Sequence, residues 1–318
     1  VAVPELLTIG RVSVDLYAEQ LGVSMTDVTT FRKSIGGTST NVAVAAARLG
    51  HRVATVTKVG DDQFGRYVRH ALEHTFGVDT TWVATDPDLP TPLAFAELDP
   101  PADPSIIFYR RPTAPDQNLQ LGDVDLDVIR EVPLLWIPAS RFAWEPSRST
   151  VHELLTARER RPDVVLDLDW RPMFWESATV AAEHIRPQLE HVTIAIGNRD
   201  ECEIAVGTRD PDEAADRLLA AGLRIAVVKL GGDGVMVATD DGVRERIPPF
   251  PVDVVCGLGS GDAFGGAFCH GLLSGWSPVE CVRYGNAAGA IIAGRLMCAD
   301  DMPTVAEIDA FLDERGAS

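Results

Sequence analysis

Four short apolar runs constrain this 318-residue chain more than any other feature. They are Leu134-Leu-Trp-Ile137, Val164-Val-Leu-Asp-Leu168, Val192-Thr-Ile-Ala-Ile196 and Ile225-Ala-Val-Val-Lys-Leu230, with helical patterning between them at 147–159, 178–190 and 211–221. Strands that are apolar at consecutive positions are buried on both faces, and intervening helices supply that cover for a parallel sheet. Leu6-Leu-Thr-Ile-Gly10 and Val53-Ala-Thr-Val-Thr-Lys-Val59 carry the rhythm toward the N-terminus. Between them, Gly36-Gly37-Thr38-Ser39-Thr40-Asn41 leads into an alanine-rich helix closed by Gly50, with the Ser/Thr residues as the expected caps. The fold class is α/β with a mostly parallel sheet.

One region breaks the rhythm. Leu93-Ala-Phe-Ala-Glu-Leu98 and Ser105-Ile-Ile-Phe-Tyr-Arg110 flank the Pro-rich turn Asp99–Pro104 with no helix between them, which reads as a hairpin. The segment from about 18 to 35 is polar and irregular, with Phe31–Ile35 as a short strand.

Near the C-terminal end, Val252-Asp-Val-Val-Cys256 reads as an extended run that breaks at Gly257, Gly259 and Gly261, ahead of a small-residue helix. Glycines at such a junction let backbone N–H groups approach a ligand, and a helix N-terminus favours an anion. Asp262 in that turn would repel the anion. It serves either as a helix cap or as the base for a hydroxyl beside a phosphoryl group in transfer.

Further polar groups follow successive strands: Asp15, then Asp167-Leu-Asp169-Trp-Arg171, Asn198-Arg-Asp-Glu201 and Lys229-Leu-Gly231-Gly-Asp-Gly234. The C-terminal ends of parallel strands share one edge, where open α/β sheets bind their ligands. Asp15 also suits a turn or cap. Arg171 suits either an ion pair with Asp167 or Asp169, or bidentate binding of a phosphate or carboxylate. Together the clusters describe a phosphate site with acids for a metal.

Charge and cysteine content narrow the function classes. A net charge of −19 argues against nucleic acid or an anionic membrane as partner. The five cysteines are odd in number and lack metal-type spacing, as reduced thiols do. No apolar run reaches membrane-spanning length and no basic-then-apolar leader opens the sequence, so a soluble, cytoplasmic protein is expected.

This order of motifs resembles the PfkB (ribokinase-like) family of sugar kinases over nearly the whole chain. The resemblance implies a three-layer αβα core with a small β-sheet lid, as a single domain over 1–318 with the lid formed by segments about 11–36 and 91–111. It implies ATP and Mg²⁺ as cofactors, with Gly259, Ser260 and Gly261 as anion hole and Asp262 as general base. Asp15, Gly36, Gly37 and Asn41 fall where the family binds sugar hydroxyls. Asn198 and Glu201 match its Asn-x-x-Glu motif, which supports phosphate and Mg²⁺-water binding, and Lys229, Gly231, Gly234 and Asn286 match its nucleotide cleft. Cys256-Gly257 stand where many members have Asp-Thr, so a monovalent cation site is left open.

The Asp167–Trp175 stretch, with Arg11–Tyr17 and Asp61–Arg66, is most similar to the 5-dehydro-2-deoxygluconokinases of inositol breakdown. Kinases of 2-keto-3-deoxygluconate or fructose, and a catalytically silent sugar sensor on the same fold, are the alternatives. A sugar acid needs a fixed cation for its carboxylate. Arg110 and Arg171 are the candidates, unless Arg171 faces the ATP phosphates. An exposed lid edge is compatible with a homodimer.

Overall fold

A computed structural model describes residues 3–100, 104–160 and 163–316. The chain begins with β1 (Leu6–Ile9), β2 (Ser13–Ala18), β3 (Phe31–Gly36), α1 (Thr38–Arg48), β4 (Val53–Gly60), α2 (Gln63–His70) and β5 (Val83–Asp86). It continues through β6 (Leu93–Glu97), β7 (Ser105–Tyr109), α3 (Leu126–Glu131), β8 (Leu134–Pro138), α4 (Ser147–Arg158), β9 (Asp163–Asp167) and α5 (Ala178–Ile185). Then come β10 (Ile194–Asn198), α6 (Arg199–Val206), α7 (Pro211–Ala220), β11 (Ile225–Lys229), β12 (Val235–Thr239) and β13 (Arg244–Ile247). Helices α8 (Ser260–Leu273), α9 (Pro278–Ala293) and α10 (Val305–Glu314) complete it.

Nine strands form one sheet in the order β13-β12-β11-β10-β9-β8-β1-β4-β5, parallel except for the antiparallel edge β11-β12-β13. Its strands are apolar at consecutive positions because each face has its own cover. Leu6, Trp136, Val165, Ile194 and Val227 pack with α1, α8 and α9. Their neighbours Leu7, Leu135, Leu166, Ala195 and Val228 pack with α4, α5 and α7. The three-layer arrangement follows from this two-sided burial.

The second sheet has four strands in the order β3-β2-β6-β7, with β6 and β7 antiparallel as the hairpin pattern predicts. Residues 101–103 of the Pro-rich turn lie outside the described residues. Ser13, Asp15 and Tyr17 of β2 and Ile106 and Phe108 of β7 alternate onto one face of this sheet, which is turned toward the large one.

Three local expectations are corrected. Asp15 sits inside strand β2, not in a turn or cap, because the chain after Gly10 at once enters the second sheet. Thr38, Ser39 and Thr40 are not caps. The N-cap of α1 is Gly37, with φ of 105°, and the Ser39 and Thr40 hydroxyls donate to the Arg11 carbonyl at 3.3 and 2.9 Å. Residues 252–256 are not a strand. The large sheet already ends at β13, and this segment instead donates from Val255 and Cys256 N–H to the Ala293 carbonyl at the end of α9.

Candidate active site

Gly259 caps α8 in the left-handed region (φ 79°), where a side chain would run into Cys298. No side chain caps this helix, so the N–H groups of its first turn are left for a ligand. Asp262 lies inside that first turn and is not the N-cap, which removes the capping role from its reading.

The Asn41 amide N–H, from the first turn of α1, donates to Asp262 Oδ2 at 2.7 Å. Burial pushes the Asp262 carboxyl up to about 6, while the Asn41 hydrogen bond and the positive charge of Arg171 hold it down. A carboxylate so placed is ionised at neutral pH yet basic enough to take a proton.

Asp262 lines a cavity of about 50 Å³ with Arg11, Asp15, Asn41, Arg171 and Gly259, roofed by Ile106 and Phe108 of β7. Asp15 accepts from the Ser13 hydroxyl at 2.6 Å and the Tyr17 hydroxyl at 3.4 Å, and burial raises its pKa. A side chain at Gly36 would occupy the place of the Asp15 carboxyl. Around this site several buried polar atoms have no hydrogen-bond partner: Asn41 Oδ1, Ser260 Oγ, and Arg11 Nε and Nη1.

A second group of charges adjoins the first. Asp167 ends β9, Glu201 opens α6 and Lys229 ends β11, adjacent positions on one sheet edge. Burial raises the pKa of Asp167; Lys229 opposes this, while Asp169, Glu201 and Asp262 add to it. Burial works against the charge of Lys229, but Glu201, Asp167 and Asp262 more than restore it. The Lys229 Nζ lies 3.8 Å from Glu201 Oε2 and near Gly261. Burial would raise Asp169 as well, but Arg171, Arg11 and the Ser140 hydroxyl hold it low. Arg171 Nε donates to Asp169 Oδ1 at 3.0 Å, which realises the ion pair read from the sequence.

The Asn-x-x-Glu spacing makes a capping box at the start of α6. Glu201 N–H donates to Asn198 Oδ1 at 2.9 Å, and Asn198 N–H to Glu201 Oε2 at 2.6 Å. Gly231 and Gly234 form a tight turn after β11 with φ of 63° and 91°. The Asn286 amide reaches the Pro248 carbonyl at 3.2 Å, and Pro248 also adjoins Gly234. None of these three residues lines the Asp262 cavity.

Arg110 departs from expectation. Its Nη2 is bound to both oxygens of buried Asp116, at 2.9 and 3.0 Å, and it lines a separate cavity of about 650 Å³. Arg11, Tyr17 and Cys298 also line the Asp262 cavity. Arg11 and Tyr17 lie within the Arg11–Tyr17 stretch that carries the resemblance, though without an assigned role, whereas nothing in the sequence setting of Cys298 marks it.

Residues 3–305 match the profile of the pfkB family carbohydrate kinases. The chain belongs to this family. The kinase is 34% identical over 316 residues to the 5-dehydro-2-deoxygluconokinase of Geobacillus kaustophilus, covering 98% of this chain and 94% of that one. It is 32% identical to the protein of the same name from Clostridium beijerinckii, over 98% and 93% of the two chains. Among solved structures, a PfkB protein from Polaromonas sp. JS666 superposes with a TM-score of 0.85 at 25% identity, covering 96% of the kinase and 99% of that chain. A fructokinase double mutant from Vibrio cholerae O395, in its fructose-, ADP- and potassium-bound form, gives 0.86 at 25% identity over 98% and 100%. Among the described residues, no helix of the kinase is long and apolar enough to cross a membrane.

Proposed function

We propose that this kinase transfers the γ-phosphoryl group of ATP to the primary hydroxyl of 5-dehydro-2-deoxygluconate, a small sugar acid. The name shared by the relatives supports the substrate. The observation that carries the chemistry is Asp262: a half-buried carboxylate, raised to about 6, within the unsatisfied first turn of α8.

In this reading Asp262 takes the proton of the sugar hydroxyl as its oxygen attacks phosphorus in line. The N–H groups of Ser260 and Gly261, at the positive end of α8, face the charge that spreads onto the phosphoryl oxygens. Lys229, beside Gly261, adds a fixed positive charge there. Asn41 orients Asp262 through its amide N–H and offers its unpartnered Oδ1 to a sugar hydroxyl, and Asp15 takes another. Asn198 to Glu201 and Gly231 to Gly234, with Asn286, line the way in for the nucleotide. Segments 11–36 and 91–111 act as a lid on one catalytic domain and exclude water, which would otherwise accept the phosphoryl group.

The acids fit a divalent cation. Among the described residues no three of His, Cys, Asp or Glu converge to ligate a metal directly, yet Asp167 and Glu201 bring two carboxyl groups to a single lysine. Such a donor set suits a hydrated ion held through water, with Glu201 and Asp167 as outer partners. Bound Mg²⁺ would supply charge neutralisation of the phosphate oxygens. Cys256, buried and with its thiol pKa raised by burial, is a poor ligand for a monovalent cation, so K⁺ is assigned no essential part.

The outer face of the lid sheet carries Ile107 and Tyr109, 41% and 63% exposed, which supports a homodimer through the lid. Five free, buried cysteines support a reducing, cytoplasmic setting. The test is ATP consumption with Mg²⁺ over a panel of 5-dehydro-2-deoxygluconate, 2-keto-3-deoxygluconate, fructose and ribose. The first should lead the neutral sugars by at least about tenfold in kcat/KM. Equal or better turnover of fructose would overturn the substrate, and no ATP consumption with any sugar would favour a sensor.

A further inference from the structure

Four guanidinium groups gather beneath strand β7, and three of them have a carboxylate. Arg110 binds both oxygens of Asp116. Arg141 donates to the Asp116 carbonyl at 2.9 Å and lies 3.3 Å from its carboxylate. Arg171 is held by Asp169. The fourth, Arg11, is only 6% exposed, and among the described residues no carboxylate oxygen lies within 4.0 Å of it. Among the described residues its side chain donates one hydrogen bond, from Nη2 to the Thr38 hydroxyl at 3.2 Å, and Nε and Nη1 have no acceptor.

Phe108 and Phe174 lie 5.2 and 5.3 Å from its guanidinium carbon and 5.4 Å from each other, so the two rings adjoin and cover one side of it. Aromatic faces attract a cation but offer nothing to the N–H bonds in the guanidinium plane. Asp169 and Asp15 offset the charge of Arg11 from beyond 4.0 Å, yet burial is the larger effect and the Nε and Nη1 N–H bonds stay unmet, a costly arrangement for a fold to hold.

The fold holds Arg11 in place from several sides. Ser39 and Thr40 donate to its carbonyl, Thr38 accepts from its side chain, and any side chain at Gly37 would strike its backbone. Four consecutive residues at the start of α1 therefore fix one arginine. That arginine forms a wall of the cavity that also holds Asp262.

We infer that Arg11 is the specificity residue for the acid group: its in-plane N–H bonds receive the carboxylate of the substrate while the far hydroxyl reaches Asp262. The inference rests on the reading of this cavity as the sugar-acid site. It moves the carboxylate from Arg110 and Arg171, each ion-paired at 3.0 Å or less, to the guanidinium that has no carboxylate within 4.0 Å among the described residues. One of the two covering rings, Phe108, belongs to the lid strand, so lid movement would uncover part of Arg11 while Phe174 stays against it.

The test uses two probes of equal chain length, the anion D-gluconate and the neutral D-glucitol, with the whole protein and no nucleotide, by titration calorimetry. Wild type should bind gluconate at least about tenfold tighter than glucitol, as a charge-assisted pair in a closed site provides. Arg11→Gln should remove that preference, and Arg11→Lys should retain part of it because the charge stays while the planar fork is lost. Turnover of 5-dehydro-2-deoxygluconate by Arg11→Gln should show a KM raised at least about tenfold with the KM for ATP within about threefold. A wild type blind to the charge, or a preference that persists in Arg11→Gln, would overturn the inference. If Arg11→Gln loses its cooperative melt, Arg11→Lys decides: an undiminished preference for gluconate would refute the planar fork. A wild type that prefers gluconate yet turns over fructose faster would sink the proposed substrate and leave the role of Arg11 standing.

Discussion

Replacing Asp262 with Asn separates chemistry from structure. The amide oxygen can still accept the Asn41 N–H that now reaches Asp262 Oδ2 at 2.7 Å, so the first turn of α8 should keep its geometry. What disappears is the proton acceptor, and kcat should fall by about 10²–10⁴-fold while nucleotide and sugar affinities stay within about threefold. Stability should change in the opposite direction. Burial carries the carboxyl from 3.8 to about 6, a rise of about two units and hence about 3 kcal/mol at most, since Asp262 is only half-buried and solvent screens it. Because the folded pKa is the higher one, the folded state binds more protons between these values, and wild type loses stability as pH rises through that window. The variant lacks this slope. Its melting temperature relative to wild type should therefore climb by a few degrees from pH 4 to pH 7. Stopped kinetics and paired melts at several pH values test both halves. A kcat near wild type would show that another group takes the proton, and a pH-independent difference in melting would remove the half-buried carboxylate from the argument.

The same ionisation should set the acid limb of activity: log kcat/KM should fall with unit slope below about pH 6, and a limb near pH 4 would place Asp262 in water. Activity at fixed ionic strength should change less than about threefold when Na⁺ replaces K⁺, since soft, buried Cys256 offers no hard oxygen; strong K⁺ activation would mean that backbone carbonyls form a cation site. Gly259→Ala should cost about 1–3 kcal/mol through its positive φ, displace Cys298 and lower kcat at least about tenfold, whereas wild-type melting and turnover would show that the turn is not strained.

Much of the architecture could be read from local pattern. Consecutive apolar residues at Leu134–Ile137 and Ile225–Val228 demand burial on both faces, and that alone implies helices on either side of a parallel sheet. Polar groups placed directly after such strands must share an edge, so Asp167, Asn198 and Lys229 were brought near one another by topology, without any contact being known. Gly259 was equally legible, because a positive φ at a helix start has few alternatives to glycine. The extended look of Val252–Cys256 misled, since apolar character does not say whether a sheet has an open edge to receive it. Which arginine is free was decided only in three dimensions. Arg110 and Arg141 stand 31 residues apart and converge on one carboxylate, Asp116, while Arg11 sits among Thr38, Phe108 and Phe174 with no carboxylate within 4.0 Å among the described residues. Hydrophobic period and glycine conformation are properties of neighbours along the chain. The pairing of buried charges, and the basicity it confers on Asp262, depends on distances that the fold sets between residues far apart in it.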